Sequence, residues 1–98
     1  MAADQAWNRL FVKVRDFARQ TPDWADALRY FTLPDERLDL TLVSYRVYGS
    51  RDQALVIQAA AGLDSVESEL TEQLLVLPTA DQLRDMQLDA GFNADETI

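Results

Sequence analysis

From Asp4 to Gln20 the apolar residues Ala6, Trp7, Leu10, Phe11, Val14, Phe17 and Ala18 recur every three or four positions, with Arg9, Lys13, Arg15, Asp16 and Arg19 between them. Because an α-helix turns once in 3.6 residues, that spacing gathers the apolar groups on one stripe and predicts an amphipathic helix. Thr21 and Pro22 end it, since proline lacks the amide proton a helix interior uses and disfavours helical geometry in the residue before it. Pro22 equally suits the first turn of a new short helix, with Thr21 as N-cap and Asp23 at its positive end. Leu28 to Leu33 (LRYFTL) is aromatic and β-prone and predicts a short strand that runs into a turn at Pro34-Asp35-Glu36.

Leu38 to Tyr48 places Leu38, Leu42 and Tyr45, with Val43 beside them, on one helical face before the stop at Gly49; its Val, Thr and Tyr content also permits a strand. Arg51 to Ala61 ends in an alanine run closed by Gly62 and predicts a further helix. Asp64 to Glu69 reads as an acidic loop, and Leu74 to Pro78 (LLVLP) as a strand ended by proline. Leu83 and Met86 give Ala80 to Leu88 a weak helical register, and the closing DAGFNADETI is polar, acidic and expected to be mobile. The core expected from this pattern is Leu42, Tyr45, Leu55, Ile57, Leu75 and Leu77.

Composition narrows the chemistry. Ninety-eight residues make room for one hydrophobic core, and a chain this short buries roughly two thirds of its unfolded surface, which leaves stability modest unless a partner covers more. The net charge of −8 opposes phosphate backbones and anionic membrane surfaces, so neither nucleic acid nor membrane is an expected partner. No basic segment leads into a long apolar run at the start, and no stretch nears the roughly 20 apolar residues of a membrane span, so neither signal peptide nor span is expected. With no cysteine and no histidine, thiolate nucleophiles, imidazole bases, disulfides and the commonest zinc ligands are all missing, which fits folding in a reducing cytosol.

Tyr30 to Pro78 resembles the lysin-motif family, whose members read strand, polar turn, helix with a Tyr-Gly exit, second helix and closing strand. The matching residues are Tyr30 to Thr32, the turn Pro34-Asp35-Glu36-Arg37-Leu38, the exit Tyr45-Arg46-Val47-Tyr48-Gly49, and the closing Thr71-Glu72-Gln73-Leu74-Leu75-Val76-Leu77-Pro78. Within that family the chain is similar to lysin-motif-like tail and baseplate proteins of phages, where an Arg-Leu-Asp turn and a Tyr-Gly exit recur. The resemblance implies an α+β fold with a small strand-helix-helix-strand core at 27–79, an added N-terminal amphipathic helix at 1–26 and a short, partly flexible C-terminal extension at 80–98. It implies a non-enzymatic structural part of a phage-type tail or baseplate, made in the host cytoplasm and carried in the virion, in several copies among other tail proteins. A glycan-binding module is the alternative. The family's glycan groove lies between the loops after the first strand and after the second helix, but the family's asparagine after the second helix is absent here. The second loop is instead acidic at Asp64, Glu67 and Glu69, a rim that repels peptidoglycan carboxylates.

Asp35, Glu36 and Asp39 could form a carboxylate pair for hydrolysis, but turn chemistry and a helix N-terminus explain them better. Asp64, Glu67, Glu69 and Glu72 lack the spacing and the turn glycine of a calcium loop. Ser44 and Ser50 have no histidine to activate them, and Lys13 is the only lysine, on a remote face. No catalytic residue, cofactor or metal is therefore expected. The aromatic series before the core either packs on that core or forms a protein interface through Trp7, Leu10, Phe11, Val14, Phe17 and Trp24, and the sequence favours neither.

Overall fold

The computed structural model describes residues 2–65 and 67–91. The amphipathic N-terminal pattern forms α1, Ala2–Gln20, two residues longer at its start than the periodicity predicts. Thr21-Pro22 does not begin a second helix; the chain makes one turn, closed by Ala25 N–H on the Pro22 carbonyl at 3.0 Å. Strand β1, Leu28–Phe31, follows, then a single 3-10 turn at Pro34–Glu36. Helix α2 is Leu40–Tyr48, begun by Asp39, whose carboxylate accepts from Leu42 N–H, and ended at Gly49 in the left-handed region. The expected helix from Arg51 divides into a 3-10 turn at Arg51–Gln53 and α3 at Ala54–Ala61. Strand β2, Leu74–Leu77, pairs antiparallel with β1, with Leu28 opposite Leu77 and Phe31 opposite Leu74. Helix α4, Ala80–Ala90, completes a small α+β domain of four helices and one two-stranded sheet among the described residues. Of the tail expected to be mobile, Asp89 and Ala90 instead finish α4 and Gly91 caps it, while residues 92–98 lie outside the described residues.

Helix α3 is the centre of the packing because nearly every residue in ALVIQAAA is apolar and the alanines let neighbours approach closely. On one side Val56 and Ala59 meet Leu10 and Val14 of α1 and Leu83 and Ala90 of α4. On the other, Ile57 meets Leu40 and Val43 of α2, Leu75 and Leu77 of β2, and Leu70. Tyr48 lies between the two clusters and its hydroxyl donates to the Pro78 carbonyl at 2.7 Å. Burial pushes that phenol well above the usual tyrosine range. The 80–90 segment, where a weak helical register is expected over Ala80 to Leu88, is a helix because Thr79 caps it reciprocally with Gln82 and its apolar stripe has α1 and α3 to pack on. Arg9 fastens the far end of this helix, its Nε donating to the Ala90 carbonyl at 2.7 Å beside Gly91, where an added Cβ would meet the guanidinium.

Three of the six expected core residues are interior: Ile57, Leu75 and Leu77. Tyr45 and Leu55 are not, at 55% and 38% exposed, and Leu42 is half-buried. The cause is phase. Asp39 starts α2 so that Leu40, Val43, Ser44 and Val47 turn inward, which carries Tyr45 to the outside. Replacing Leu77 by Ala is expected to cost about 2–4 kcal/mol in urea unfolding, the range for a fully buried leucine, whereas Tyr45→Ala should stay within about 0.5 kcal/mol of the parent. Equal losses in the two variants would contradict this placement of the core.

Candidate interaction surface

The turn after β1 gathers the carboxylates that the sequence singles out, and each has a separate duty. Glu36 is completely buried, and its carboxylate accepts from the Leu33 amide at 2.6 Å, from the Tyr30 hydroxyl and from Arg46 Nη1 at 3.0 Å. Burial and this partner push the Tyr30 phenol up. Asp35 stands outside and takes both guanidinium nitrogens of the same Arg46, at 2.8 and 2.9 Å, a fork that holds its carboxyl below the usual aspartate range. Asp39 is the cap of α2 and is held low by the Thr41 hydroxyl, the Leu42 amide and Arg51 at 3.7 Å. All three therefore build the turn and the start of α2. Ser44 and Ser50 serve the next joint: the Ser44 hydroxyl donates to the Ser50 carbonyl and accepts from Gln53 N–H at 2.9 Å, while Ser50 Oγ accepts from Asp52 N–H at 3.1 Å. Lys13 reaches Asp89 on α4 at 3.5 Å. No three potential ligands of a metal ion converge among the described residues, and no helix there is long and apolar enough to cross a membrane.

The expected interface divides. Leu10 and Val14 are fully buried against α3 and α4, so no neighbouring protein can touch them: the stripe that marks α1 as amphipathic is the one the domain itself covers. This corrects their place in the expected interface. Trp7 and Phe11 pack at the rim of that cluster in an edge-to-face pair with centroids 5.9 Å apart, and Phe17 is half-buried. Trp24 is different. It is 87% exposed on a turn that two bonds from Arg29 Nη2 hold in place, to the Pro22 and Ala25 carbonyls at 2.9 and 3.0 Å. Gln82 of α4 ties the same turn down through the Asp26 carbonyl at 3.0 Å.

A second surface joins the outer face of the sheet to the loops after β1 and α3, between which the resemblance puts a groove. Phe31 and Leu74 face each other across the sheet, are 61% and 54% exposed, and are followed by exposed Leu33 and Leu38. They run into an open groove of about 650 Å³ between the β1–α2 turn and the strand approach, with Pro34, Leu38 and Leu70 as apolar lining and Asp35, Arg37, Glu69 and Glu72 along it. The Leu70 amide on the Arg37 carbonyl at 2.7 Å joins its two walls. Alternation along LRYF marks two faces, but both carry large apolar groups, so periodicity does not say which one is covered.

Glu36→Gln is expected to lower stability by about 1.5–3 kcal/mol, since it removes the charge that Tyr30 and Arg46 both address. The depressed Asp35 and Asp39 carboxyls contribute stability that is complete above the ordinary aspartate value near about 4 and is lost as pH falls through their lower folded values. The urea midpoint should therefore drop below about pH 4, and the drop should be shallower in Arg46→Gln; an identical pH profile would contradict the pairing. No family model matches the chain, and no curated protein or solved structure matches it significantly.

Proposed function

We propose that the chain is a structural component of a phage-type tail or baseplate, a lysin-motif-like adaptor that joins neighbouring tail proteins in several copies. The observation that carries this reading is Trp24, an almost fully exposed tryptophan on a turn pinned by Arg29 and Gln82. A large ring presented on a rigid loop loses little entropy on binding, which is why tryptophan anchors are common at the centres of interfaces. The order β1, α2, α3, β2 between Leu28 and Leu77, with Gly49 ending α2 and Pro78 closing β2, supports a lysin-motif-like core. The carboxylates and serines that could suggest an enzyme are occupied in capping and turn bonds, and this reading assigns the protein no reaction and no cofactor. In this reading it is made in the host cytoplasm and carried in the virion.

A peptidoglycan- or glycan-binding module is the second reading, favoured by one observation: the groove beside Pro34, Leu38 and Leu70 lies between the turn after the first strand and the end of the loop after α3, where the family's glycan site is expected. Its carboxylate rim at Glu69 and Glu72 speaks for a cationic occupant over an anionic wall polymer.

Trp24→Ala should unfold within about 0.5 kcal/mol of the parent, because the ring touches little of its own domain, yet should no longer be incorporated into assembled tails. Normal incorporation of that variant, with retention of the parent on chitin or peptidoglycan beads, would overturn the adaptor reading in favour of the glycan module.

A further inference from the structure

Charge is divided sharply along this chain. Helix α1 holds four of the nine basic residues, Arg9, Lys13, Arg15 and Arg19, against two acidic ones. Between Arg51 and Arg84 there is no basic residue at all, while Asp52, Asp64, Glu67, Glu69, Glu72 and Asp81 fall in that interval. The groove at the β1–α2 turn lies on the acidic side. Its floor is apolar at Leu38 and Leu70, Leu38 being 66% exposed, and Glu69 and Glu72 have no ion pair among the described residues. Asp35 is paired with Arg46, which it shares with Glu36, and Arg37 offsets only one of the two open carboxylates.

The outward face of α1 is its complement. Val12, 56% exposed, and Arg19 are open to solvent and share a helical face with Arg15, whose guanidinium lies 4.6 Å over the Phe11 ring, and with exposed Asp16, so that the two arginines leave the face with a net positive charge of one. Neither Arg15 nor Arg19 has an ion pair among the described residues, whereas Arg9 and Lys13 are taken up by α4. We propose that the groove beside Leu38, Glu69 and Glu72 receives the Val12–Arg15–Arg19 face of α1 from a second copy of the chain, a head-to-tail contact between unlike surfaces. Residues 92–98 of the chain are no rival occupant, since they carry Asp95 and Glu96 and no basic residue. Because donor and acceptor faces differ, each copy keeps one of each free, and the contact propagates into a ring or a filament instead of closing as a two-fold dimer. The attraction is local and the net charge of −8 opposes it, so association depends on concentration and salt.

This inference rests on the adaptor reading and makes one of the neighbours another copy. Sedimentation velocity of the full chain should show species larger than a monomer that grow with concentration at low salt and dissociate at about 1 M salt, where the Debye length falls to about 3 Å. E69K/E72K should raise the dissociation constant about tenfold or more, although it lowers the net charge from −8 to −4 and with it the general repulsion. R15E/R19E should do the same. All four sites are at the surface or half-exposed, so circular dichroism should report folded variants. Mixing the two variants should restore growth with the copies alternating, since the intact helix face of one fits the intact groove of the other and the exchanged charges of the remaining pair are again opposite in sign. Combining all four changes in one chain, which restores the net charge of −8, should restore growth. A parent that is monomeric at every concentration in low salt would overturn the inference while leaving the adaptor reading standing, with a different tail protein as the neighbour. Self-association that both double variants retain, or mixed variants that stay apart, would overturn it as well. A chain that self-associates in this way but is absent from purified tails would overturn the adaptor reading alone.

Discussion

A carboxylate sealed from water fixes the geometry on which the rest of this domain depends. Glu36 takes one bond from the end of β1 through Tyr30, one from the backbone of its own turn through Leu33, and one from α2 through Arg46. An ion with no solvent is costly to bury unless its lone pairs are satisfied, so these three donors hold the strand, turn and helix in one relative arrangement. Arg46 keeps part of its own surface in water and spends its second nitrogen on Asp35, which lets one guanidinium serve an inner and an outer carboxylate together. The two carboxylates in turn raise the affinity of that guanidinium for its proton. The groove and the start of α2 are placed by the same turn.

A two-stranded sheet is only marginally stable by itself, and here its partners arrive from residues nearly fifty positions apart in sequence, a pairing that must be secured by packing. Helices α2 and α3 cover one face through Leu40, Val43 and Ile57 against Leu75 and Leu77. That leaves the far side of α3 apolar. Helices α1 and α4 close it, with Leu10, Val14, Leu83 and Ala90 around Val56 and Ala59. The terminal helices are thus part of what makes so short a chain bury enough surface to fold. The outer face of the sheet at Phe31 and Leu74 stays uncovered, as does Trp24.

Much of the architecture is legible in the sequence because its signals are local. The α1 stripe, the Pro22 break, the left-handed Gly49 and Gly62 stops and the proline after LLVLP each act within one turn, and each lies where periodicity and stop chemistry put it. The phase of α2 is not legible from apolar residues alone, because Leu38, Leu40 and Leu42 are equally hydrophobic; the polar cap Asp39 decides among them. Leu10 and Val14 illustrate the same limit at the surface, since a stripe rich in large apolar groups looks alike whether its cover is α3 or another protein. The burial of Glu36 and the groove at Leu38 and Leu70 depend on segments that only the folded chain brings together, and no spacing rule reports them.

Separation of charge gives this small domain a direction: a basic helix face on one element and an acidic, leucine-lined groove on another, with an exposed tryptophan on a third. Such a molecule is suited to making contacts. Whether those contacts are made in a tail is decided most directly by quantitative mass spectrometry of tails purified from the source of the chain, with copies counted against an abundant tail protein. A fixed whole-number ratio, unchanged after high-salt washing of intact tails, is the expected result; absence of the chain, or a ratio that varies between preparations, would contradict a structural role.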